Sequence, residues 1–348
     1  MQQALVSPAA RPFEASGAAL DVRYVCVPSA RQLATDPGGI LGVVGYGSER
    51  PDFLPAGCPF IAAPLSPVLG DAMLEIWTGR RPSRSCQIGP VIGACTDDFA
   101  FGAVELDAVS GASLQSQVES AYSQIFDFMD ESGFDAPVRF WNYLTSITAD
   151  DNGMERYRRF NIGRHNVFSA RLRQSLPPAA SCVGGHHGGS GIYFLSARTP
   201  AAPVENPRQV SAYEYPLLYG PRSPSFSRAS IYSQDGMEAL FISGTASIVG
   251  HETRHPGNLL GQITETTENL RALIGAAGHQ ASLPMAGYWA LKIYLQNPAF
   301  RGPVDSAITG MFGAGAERLY LRGDICRPDL LIEVEAFHNA GKAGAPLD

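Results

Sequence analysis

The sequence predicts an α+β protein in which one structural unit occurs twice, with mixed β-sheets and helices packed on one face of each sheet. Two amphipathic helices are the first observation, because apolar residues recur at helical spacing in 114–133 and again in 259–275. Their shared context is the second observation. A strand-like apolar run precedes each helix, and a glycine followed by an aromatic, apolar run comes after each one.

The first copy of the unit follows residues 1–95, a region rich in proline and glycine that we expect to pack onto it. Proline and glycine also mark 177–191 as a loop. The predicted elements of this copy are, in order, a strand over 99–106, the helix over 114–133, and strands over 138–144 and 192–196.

The second copy repeats this order, and its helix is in register with the first: Gln117-Val118-Glu119-Ser120 matches Gln262-Ile263-Thr264-Glu265. The proline-rich stretch 200–207 indicates a linker between the copies. We therefore predict two domains, with the N-terminal region and first unit in 1–198 and the second unit in 199–348. The elements of the second unit are strands over 239–248 and 288–295, the helix over 259–275, and strands within 319–337.

Composition argues against several classes of function. The 348 residues carry a formal net charge of −7 and no basic tract, which disfavours binding to nucleic acid or to an anionic membrane surface. No apolar run approaches the roughly 20 residues that a transmembrane helix needs, and no signal peptide is visible at the N-terminus. The six cysteines lack CxxC spacing, which disfavours a zinc ribbon and favours reduced thiols in the cytoplasm, with a disulfide as the open alternative.

A predicted strand near the C-terminus carries two carboxylates, Glu333 and Glu335, on the same face and about 7 Å apart. Two interpretations are open. Both glutamates line the solvent face of a half-exposed strand, or burial raises the pKa of a carboxyl so that it acts as an acid near neutral pH. The thiol of Cys326 lies just upstream of this strand.

The segment His251-Glu252-Thr253-Arg254-His255 matches the zinc-protease pattern HExxH. That chemistry needs both histidines one turn apart on a helix, with the glutamate beside the metal-bound water. Here 243–250 predicts a strand followed by a turn, and Pro256 disfavours helical backbone at His255. We predict a polar loop that caps the following helix, and we keep a zinc hydrolase as an alternative.

A metal or phosphate site is one interpretation of the glycine-rich run Gly184-Gly185-His186-His187-Gly188-Gly189-Ser190-Gly191. It lacks the lysine and the strand–turn–helix context of a phosphate loop. We predict a mobile glycine-rich loop near a pocket.

Arginine is concentrated in 155–164, and a second cluster, 213–224, combines tyrosines, prolines and Arg222. The first cluster is also compatible with a plain solvated helix face. Alternatively, the two clusters form a cradle for a small dicarboxylate, because arginine binds carboxylates bidentately and tyrosine adds an oriented hydroxyl.

Several motifs together resemble the chorismatases, enzymes that cleave chorismate in bacterial secondary metabolism. The motifs occur in the family's order and are Trp141-Asn142-Tyr143-Leu144, Glu155-Arg156-Tyr157, Phe160-Asn161, Gly163-Arg164, Tyr219-Gly220-Pro221-Arg222-Ser223-Pro224-Ser225-Phe226, Ser243-Gly244-Thr245-Ala246-Ser247-Ile248 and Asp324-Ile325-Cys326-Arg327. The stretch 243–275, with Ile332-Glu333-Val334-Glu335-Ala336, is also similar to the small RidA/YjgF proteins. That similarity implies two RidA/YjgF-like (chorismate-mutase-like) modules, in agreement with the repeated unit.

The chorismatase resemblance implies a reaction. Family members remove the enolpyruvyl group of chorismate as pyruvate. One subtype hydrolyses the ether to a dihydroxycyclohexadiene carboxylate, and another forms 3-hydroxybenzoate through an epoxide-like intermediate. Glu333 matches the catalytic glutamate, which would protonate the terminal methylene carbon. Cys326 matches the cysteine of the 3-hydroxybenzoate-forming subtype, so we predict that product; the diene acid and a mixed hydroxybenzoate product stay open. Ala239 is a further candidate for tuning the subtype.

The same resemblance also implies whether metals and cofactors are needed, and which residues bind the substrate. No metal and no organic cofactor is expected. A RidA-like imine deaminase or small-molecule binder remains an alternative function. RidA proteins are trimers, but an internal repeat can replace subunit contacts, so we predict a monomer. The substrate-binding residues that the resemblance implies for the two carboxylates of chorismate are Arg156, Arg164, Tyr143, Tyr215 and Arg222.

Overall fold

Three large β-sheets contribute one face each to a shared core. The structure is a computed structural model that describes residues 19–35, 39–80, 82–106, 111–172, 175–234, 236–281 and 287–340. The strands, in chain order, are β1 Leu20–Cys26, β2 Ile40–Tyr46, β3 Phe60–Ala63, β4 Ser66–Pro67, β5 Met73–Gly79, β6 Arg84–Ile88, β7 Val91–Cys95, β8 Phe99–Glu105, β9 Ala136–Thr145, β10 Ala179–Gly185, β11 Gly191–Ala197, β12 Ala202–Val204, β13 Ala229–Gln234, β14 Met237–Thr245, β15 Ile248–Val249, β16 Glu252–Thr253, β17 Tyr288–Leu295, β18 Glu317–Arg322 and β19 Ile332–Asn339.

The α-helices alternate with these strands. They are α1 Leu114–Ser132, α2 Arg156–Arg171, α3 Leu259–Ala281 and α4 Arg301–Phe312. Short 3-10 helices cover Val27–Thr35, Ala212–Glu214, Leu217–Tyr219 and Pro298–Phe300. No helix in the described ranges combines the length and the apolar character that crossing a membrane requires.

The topology of the two larger sheets confirms the predicted repeat. The first sheet runs β10-β9-β11-β8-β7-β6. The second, apart from the short strand β4 at its edge, runs from the corresponding end β18-β17-β19-β14-β13-β12. In each sheet the first two strands in this order are parallel, and every other neighbouring pair is antiparallel. Helices α1 and α2 follow β8 and β9, as α3 and α4 follow β14 and β17. The chain therefore contains the same α+β unit twice.

Helix α1 shows why the apolar period predicts its position. Its apolar stripe, which includes Val118 and Tyr122, is buried in a core with β8, β9 and β11. Ser113 caps the N-terminus by accepting a hydrogen bond from a backbone N–H of the first turn. Gly133, at φ 76°, ends the helix in the left-handed conformation that favours glycine.

Helix α3 departs from its prediction at its C-terminal end. It continues to Ala281, although the sequence predicts an end at Gly275. The apolar stripe continues past this glycine, because Ala277 is fully buried. Leu260 is 67% exposed, whereas Leu259 packs on the core of the second unit. Consecutive residues point about 100° apart on a helix, so only one of these two leucines faces the sheet.

The N-terminal region is more regular than the sequence predicts. It forms a third sheet in the order β3-β2-β5-β1, with β3 and β2 parallel and the other neighbours antiparallel. This is the arrangement of β10-β9-β11-β8, so the sheet has the pattern of a third unit in which a 3-10 helix and a loop replace the two α-helices. Strand β4 pairs with β18 at the edge of the second unit, so this region contacts more than the first copy.

The inner faces of the three sheets meet in one aromatic core. Trp77 of β5 and Trp141 of β9 have ring centroids 5.3 Å apart. Tyr46, Tyr143 and Tyr294 come from β2, β9 and β17, one from each sheet. The hydroxyl of Tyr143 lies 3.0 Å from that of Tyr46 and 3.1 Å from that of Tyr294. The predicted domain boundary between residues 198 and 199 falls in the connection from β11 to β12 and stays a prediction.

Candidate active site

A cavity of about 440 Å³ lies where the two units meet, and this volume suits a small molecule. Its walls come from α2 and β10 of the first unit, and from β14, the segment before β13 and the segment 326–333 of the second. The lining residues are Glu155, Tyr157, Arg158, Arg164, Ala180, Ser181, Cys182, Gln209, Tyr215, Tyr219, Pro224, Phe226, Arg228, Gly244, Ala246, Ile248, Cys326, Arg327, Pro328, Asp329 and Glu333.

Glu333 of β19 presents an acid to this cavity, and only 5% of the residue is exposed. Burial raises the pKa of its carboxyl from 4.5 to about 8; the charge of Glu335 adds to the rise, and Arg139 and Arg228 oppose it. The carboxyl fits because residue 244 is glycine, and a Cβ at Gly244 would overlap Oε1 of Glu333. A carboxyl with this pKa keeps its proton at neutral pH and can donate it.

Glu335, two residues further along β19, has the opposite character. It is 3% exposed, and its carboxylate lies 2.8 Å from Lys292 Nζ and 2.9 Å from Arg139 Nη2. Trp141 Nε1 also donates a hydrogen bond to it at 2.8 Å. Burial alone would raise its pKa, but Lys292 and Arg139 outweigh burial and lower it. The interpretation of a half-exposed strand with both glutamates in solvent is therefore wrong.

Two thiols face the cavity, from Cys326 and from Cys182 of β10. Burial raises the pKa of Cys326 to about 12, with a further contribution from the charge of Glu333. Burial also raises the pKa of Cys182 well above its ordinary range. Neither is a thiolate at neutral pH, so these groups shape the cavity or exchange protons rather than attack as nucleophiles.

Two buried guanidinium groups line the cavity, one from each unit. Arg164 of α2 is 1% exposed, and Arg228, just before β13, is 5% exposed. Arg164 donates to Asn161 Oδ1 at 3.2 Å, and Arg228 donates to the hydroxyl of Tyr215 at 2.8 Å. Within the described residues, the Nε of each arginine has no hydrogen-bond partner. A buried donor without an acceptor is costly, and a bound carboxylate would supply the acceptor.

A third guanidinium lies among aromatic rings at the same cavity. The Arg327 carbon Cζ stands 4.1 Å from the ring centroid of Tyr219 and 5.6 Å from that of Tyr215. With Arg158, the lining holds four arginines against three acidic residues, one of which is the protonated Glu333. The cavity is therefore locally cationic in a chain whose net charge is −7.

The cavity unites only part of the predicted site. Tyr143 lies in the tyrosine cluster of the core, because strand alternation puts it on the same face as Trp141. Arg156 donates from Nε to the carbonyl of Thr145 at 3.0 Å, and Arg222 lies exposed on the surface. These three residues are outside the cavity lining, so their predicted contact with substrate has no support there. The predicted residues that line the cavity are Glu333, Cys326, Arg164 and Tyr215.

The HExxH segment precedes α3, which begins only at Leu259, so it is not helical, as the sequence predicts. Instead of a plain loop, it forms part of the β15–β16 hairpin and the loop after it. His251 Nδ1 lies 3.2 Å from the hydroxyl of Tyr219, whereas His255 Nε2 lies 3.3 Å from Glu265. The two rings are thus engaged by different partners. Across the described ranges, no group of three or more His, Cys, Asp or Glu side chains is placed to hold a metal ion.

The predicted loop over 177–191 is wrong for Ala179–Gly185, which form β10. The glycine-rich segment therefore begins in β10 and connects it to β11, and it is absent from the cavity lining. His186 Nε2 lies 3.6 Å from Asp324, and His187 Nε2 lies 3.3 Å from Ser66 Oγ. These contacts tie the loop to neighbouring segments rather than to the cavity.

Sequence reasoning missed several of the residues that line the cavity. Arg228 has the clearest signal in retrospect, because a lone arginine directly before an apolar strand is costly to bury without a function. Tyr219 belongs to the cluster 213–224 and Arg327 to a motif of the family resemblance, yet neither was named as a site residue. Ser181 and Cys182 carry no signal, since small polar residues in a buried strand are common.

These features define a class: an α+β enzyme with a buried acid in a cationic cavity for a small anion. Residues 75–196 match the family model described as chorismatase FkbO/Hyg5-like, N-terminal. A chorismatase from Streptomyces rapamycinicus is 33% identical over 307 residues, which cover 85% of this chain and 91% of that protein. A 3-hydroxybenzoate synthase from Streptomyces hygroscopicus is 33% identical over 310 residues, covering 85% and 90%.

A crystal structure of a chorismatase is similar over almost the whole length. It has a TM-score of 0.81 at 30% identity and covers 93% of this chain and 100% of the other. The chain therefore belongs to the chorismatase family, and the family predicted from its motifs is confirmed.

Proposed function

We propose that this enzyme cleaves chorismate to pyruvate and 3-hydroxybenzoate, with Glu333 as the acid. One observation carries the proposal: a buried carboxyl with a pKa of about 8 stands in a cavity of about 440 Å³. Two buried arginines line the same cavity, and chorismate carries two carboxylates. The names of the two Streptomyces relatives, a chorismatase and a 3-hydroxybenzoate synthase, support the substrate and the product.

Glu333 starts the reaction by protonating the terminal methylene carbon of the enolpyruvyl group. The bond between the ring carbon and the ether oxygen then breaks, and its electron pair moves to that oxygen, which becomes the carbonyl oxygen of pyruvate. The neighbouring ring hydroxyl bonds to the freed ring carbon as an epoxide and returns its proton to Glu333. The epoxide then opens at the carbon that first carried the hydroxyl, so the oxygen stays on the carbon that released pyruvate. That carbon loses its proton as the ring becomes aromatic, and the oxygen takes up a proton to give 3-hydroxybenzoate. The overall reaction consumes no water, whereas the diene acid of the alternative subtype requires one.

Arg164 and Arg228 bind the two carboxylates of the substrate in this proposal, because each has an unpartnered buried donor. Tyr215 orients Arg228 through its hydroxyl. For Arg156, Tyr143 and Arg222 a direct substrate contact stays a prediction. The protonated thiol of Cys326 borders the reacting ring and directs the product toward 3-hydroxybenzoate, by shape or by proton transfer.

An assay with chorismate and no added metal tests the function. We expect pyruvate and 3-hydroxybenzoate in equal amounts, the first measured with lactate dehydrogenase and the second by chromatography. Glu333→Gln should lower kcat by at least about 100-fold. Glu131→Gln, which changes an exposed carboxylate on α1, is the matched control and should keep full activity.

Other outcomes of these assays would contradict the assigned acid, the product or the reaction itself. Full activity in Glu333→Gln would remove the assigned acid. The non-aromatic diene acid as the sole product besides pyruvate would assign the hydrolytic subtype. Wild-type protein that releases no pyruvate would contradict chorismate cleavage, and ammonia release from imino acids would then favour the RidA-like alternative.

We also propose a monomer in the cytoplasm. Support for the monomer comes from the three sheets, which close around one core within a single chain. Support for the cytoplasm comes from the six cysteines, which are all free thiols. Sedimentation should give the chain mass of 37.1 kDa, and a value three times larger would indicate a trimer instead.

A further inference from the structure

A buried charge cluster centred on Lys292 lies beside the cavity. The Nζ of Lys292 is 2.8 Å from Glu335 Oε1 and 2.9 Å from Glu75 Oε2, and all three side chains are at most 3% exposed. Arg139 completes the cluster through its 2.9 Å contact with Glu335. A buried ion pair is often no more stabilising than apolar residues of the same volume. Stability alone therefore does not explain four buried charges at this place.

The two carboxylates of this cluster differ in their relation to the proposed acid. Glu335 is two residues from Glu333 on the same face of β19, about 7 Å away by strand geometry. Glu75 belongs to β5 of the third sheet, contacts the same Lys292 Nζ and accepts hydrogen bonds from Tyr46 and Trp77. Unlike Glu335, it is not among the charges that shift the pKa of Glu333. Only Glu335 is therefore a near neighbour of the reacting group.

A chain of hydrogen bonds also links Glu335 to the cavity wall. The hydroxyl of Ser181, which lines the cavity, donates to Glu335 Oε2 and accepts from the backbone N–H of Gly244 at 2.9 Å. Gly244 is the residue whose missing Cβ leaves room for the carboxyl of Glu333. The position of Glu335 is thus coupled to the space that Glu333 occupies.

We propose that Glu335 is a positioning residue of the reaction: its negative charge, fixed by Lys292, Arg139 and Ser181, keeps the proton on Glu333 until substrate takes it. This inference rests on the proposed function, because it assigns a role relative to Glu333 as the acid. It extends that function by giving the buried cluster a purpose beyond folding.

The other groups around Glu333 determine the direction of the effect. Arg139 and Arg228 favour its ionised form, while burial and Glu335 favour the protonated form. The thiols of Cys326 and Cys182 are protonated and add no charge at neutral pH. Without the charge of Glu335, the two arginines are opposed by burial alone. The pKa of Glu333 should then fall.

The test compares Glu335→Gln with Glu75→Gln through the pH dependence of kcat for pyruvate release. Wild-type activity should decline on the alkaline side near pH 8, as Glu333 loses its proton. In Glu335→Gln this decline should move about 1 to 2 pH units lower. Glu75→Gln removes an equally buried carboxylate from the same lysine, and its decline should stay at the wild-type pH.

An unchanged decline in Glu335→Gln, or an equal shift in both variants, would overturn the inference, because a purely structural role affects the two variants alike. Wild-type protein without pyruvate release would instead count against the proposed function. In that case carbon-13 NMR of labelled glutamate, with Glu333→Gln for assignment, still reports whether Glu335→Gln lowers the pKa of Glu333.

A second variant decides the matter if Glu335→Gln does not fold. Lys292→Met combined with Glu75→Gln removes one positive and one negative charge and leaves Glu335 paired with Arg139 alone. The less neutralised charge of Glu335 should then move the alkaline decline to higher pH. No movement, or movement to lower pH, contradicts the inference.

Discussion

At the scale of single residues, two glutamates two positions apart on β19 acquire opposite chemistry from their surroundings. Glu333 faces a cavity and keeps its proton, whereas Glu335 faces Lys292 and Arg139 and loses it. The same principle separates the arginines. Arg164 and Arg228 are buried and the Nε of each lacks a hydrogen-bond acceptor, whereas Arg222 is exposed to solvent.

The arginines test whether substrate binding follows the cavity lining or the family motif. Arg228→Met should raise the KM for chorismate by about 10- to 100-fold, because a charge-assisted hydrogen bond to a carboxylate is worth about 1.5–3 kcal/mol. Arg222→Met is the matched control, since this arginine belongs to the family motif but lies outside the cavity lining. Steady-state kinetics measure both. A larger effect from Arg222→Met than from Arg228→Met would reverse the assignment.

At the scale of elements, the helices of each unit use glycine in two different ways. Gly163 of α2 is a point of close approach: a Cβ there would lie 2.6 Å from the carbonyl oxygen of Gln115 and 3.0 Å from Cβ of Val118 on α1. Gly275 of α3 is exposed, and a Cβ there would meet nothing within 4 Å. One glycine is therefore required by packing, and the other only weakens its helix.

Substitution by alanine should consequently change stability in opposite directions at these two positions. Gly275→Ala should raise the free energy of unfolding by about 0.5–1 kcal/mol, since alanine is the better helix former. Gly163→Ala should lower it by about 1–3 kcal/mol, because α1 and α2 must separate to admit the methyl group. Urea denaturation followed by circular dichroism gives both values. Equal signs for the two variants would contradict this interpretation of the helix interface.

At the scale of the whole molecule, stability and activity oppose each other at Glu333. Its pKa in the folded chain, about 8, is above the ordinary value of 4.5. Proton binding therefore favours the folded state. This contribution is fully present below about pH 4.5 and is lost as the pH rises to about 8. Above that pH the folded protein contains a buried, ionised carboxylate.

Glu333→Gln should therefore be inactive, but at alkaline pH its free energy of unfolding should exceed that of the wild type. At about pH 9 we expect its free energy of unfolding to be higher by about 2–5 kcal/mol, and at about pH 5 nearly equal. Glu131→Gln, at an exposed position, should show no such pH-dependent gain. Denaturant titrations at the two pH values measure the difference. A variant that is no more stable than wild type at the higher pH would show that Glu333 is not held in an unfavourable environment.

Much of the architecture follows from local sequence patterns. Apolar spacing in 114–133 places α1 and its buried stripe, and Ser113 and Gly133 mark its ends. The matching spacing in 259–275 reveals the repeat, although α3 extends further. The third sheet is not predicted, because its strands are joined by a 3-10 helix and loops. It therefore lacks the amphipathic helix by which the other two units are recognised. Strand pairing is a long-range property that spacing within a strand does not reveal.

The sequence by itself determined the repeated α+β unit and the family, because periodicity and motifs are local. It also predicted Glu333, Cys326, Arg164 and Tyr215, which line one cavity. Only the tertiary structure decided which side chains meet. It brought Arg228 from the second unit to Arg164 of the first, and it directed Tyr143 into the core. Strand alternation assigns a residue to one of two faces, but the element that covers that face is chosen by contacts between distant segments. The pKa of a group depends on the element that packs over it, so the tertiary fold decides what chemistry the group can perform.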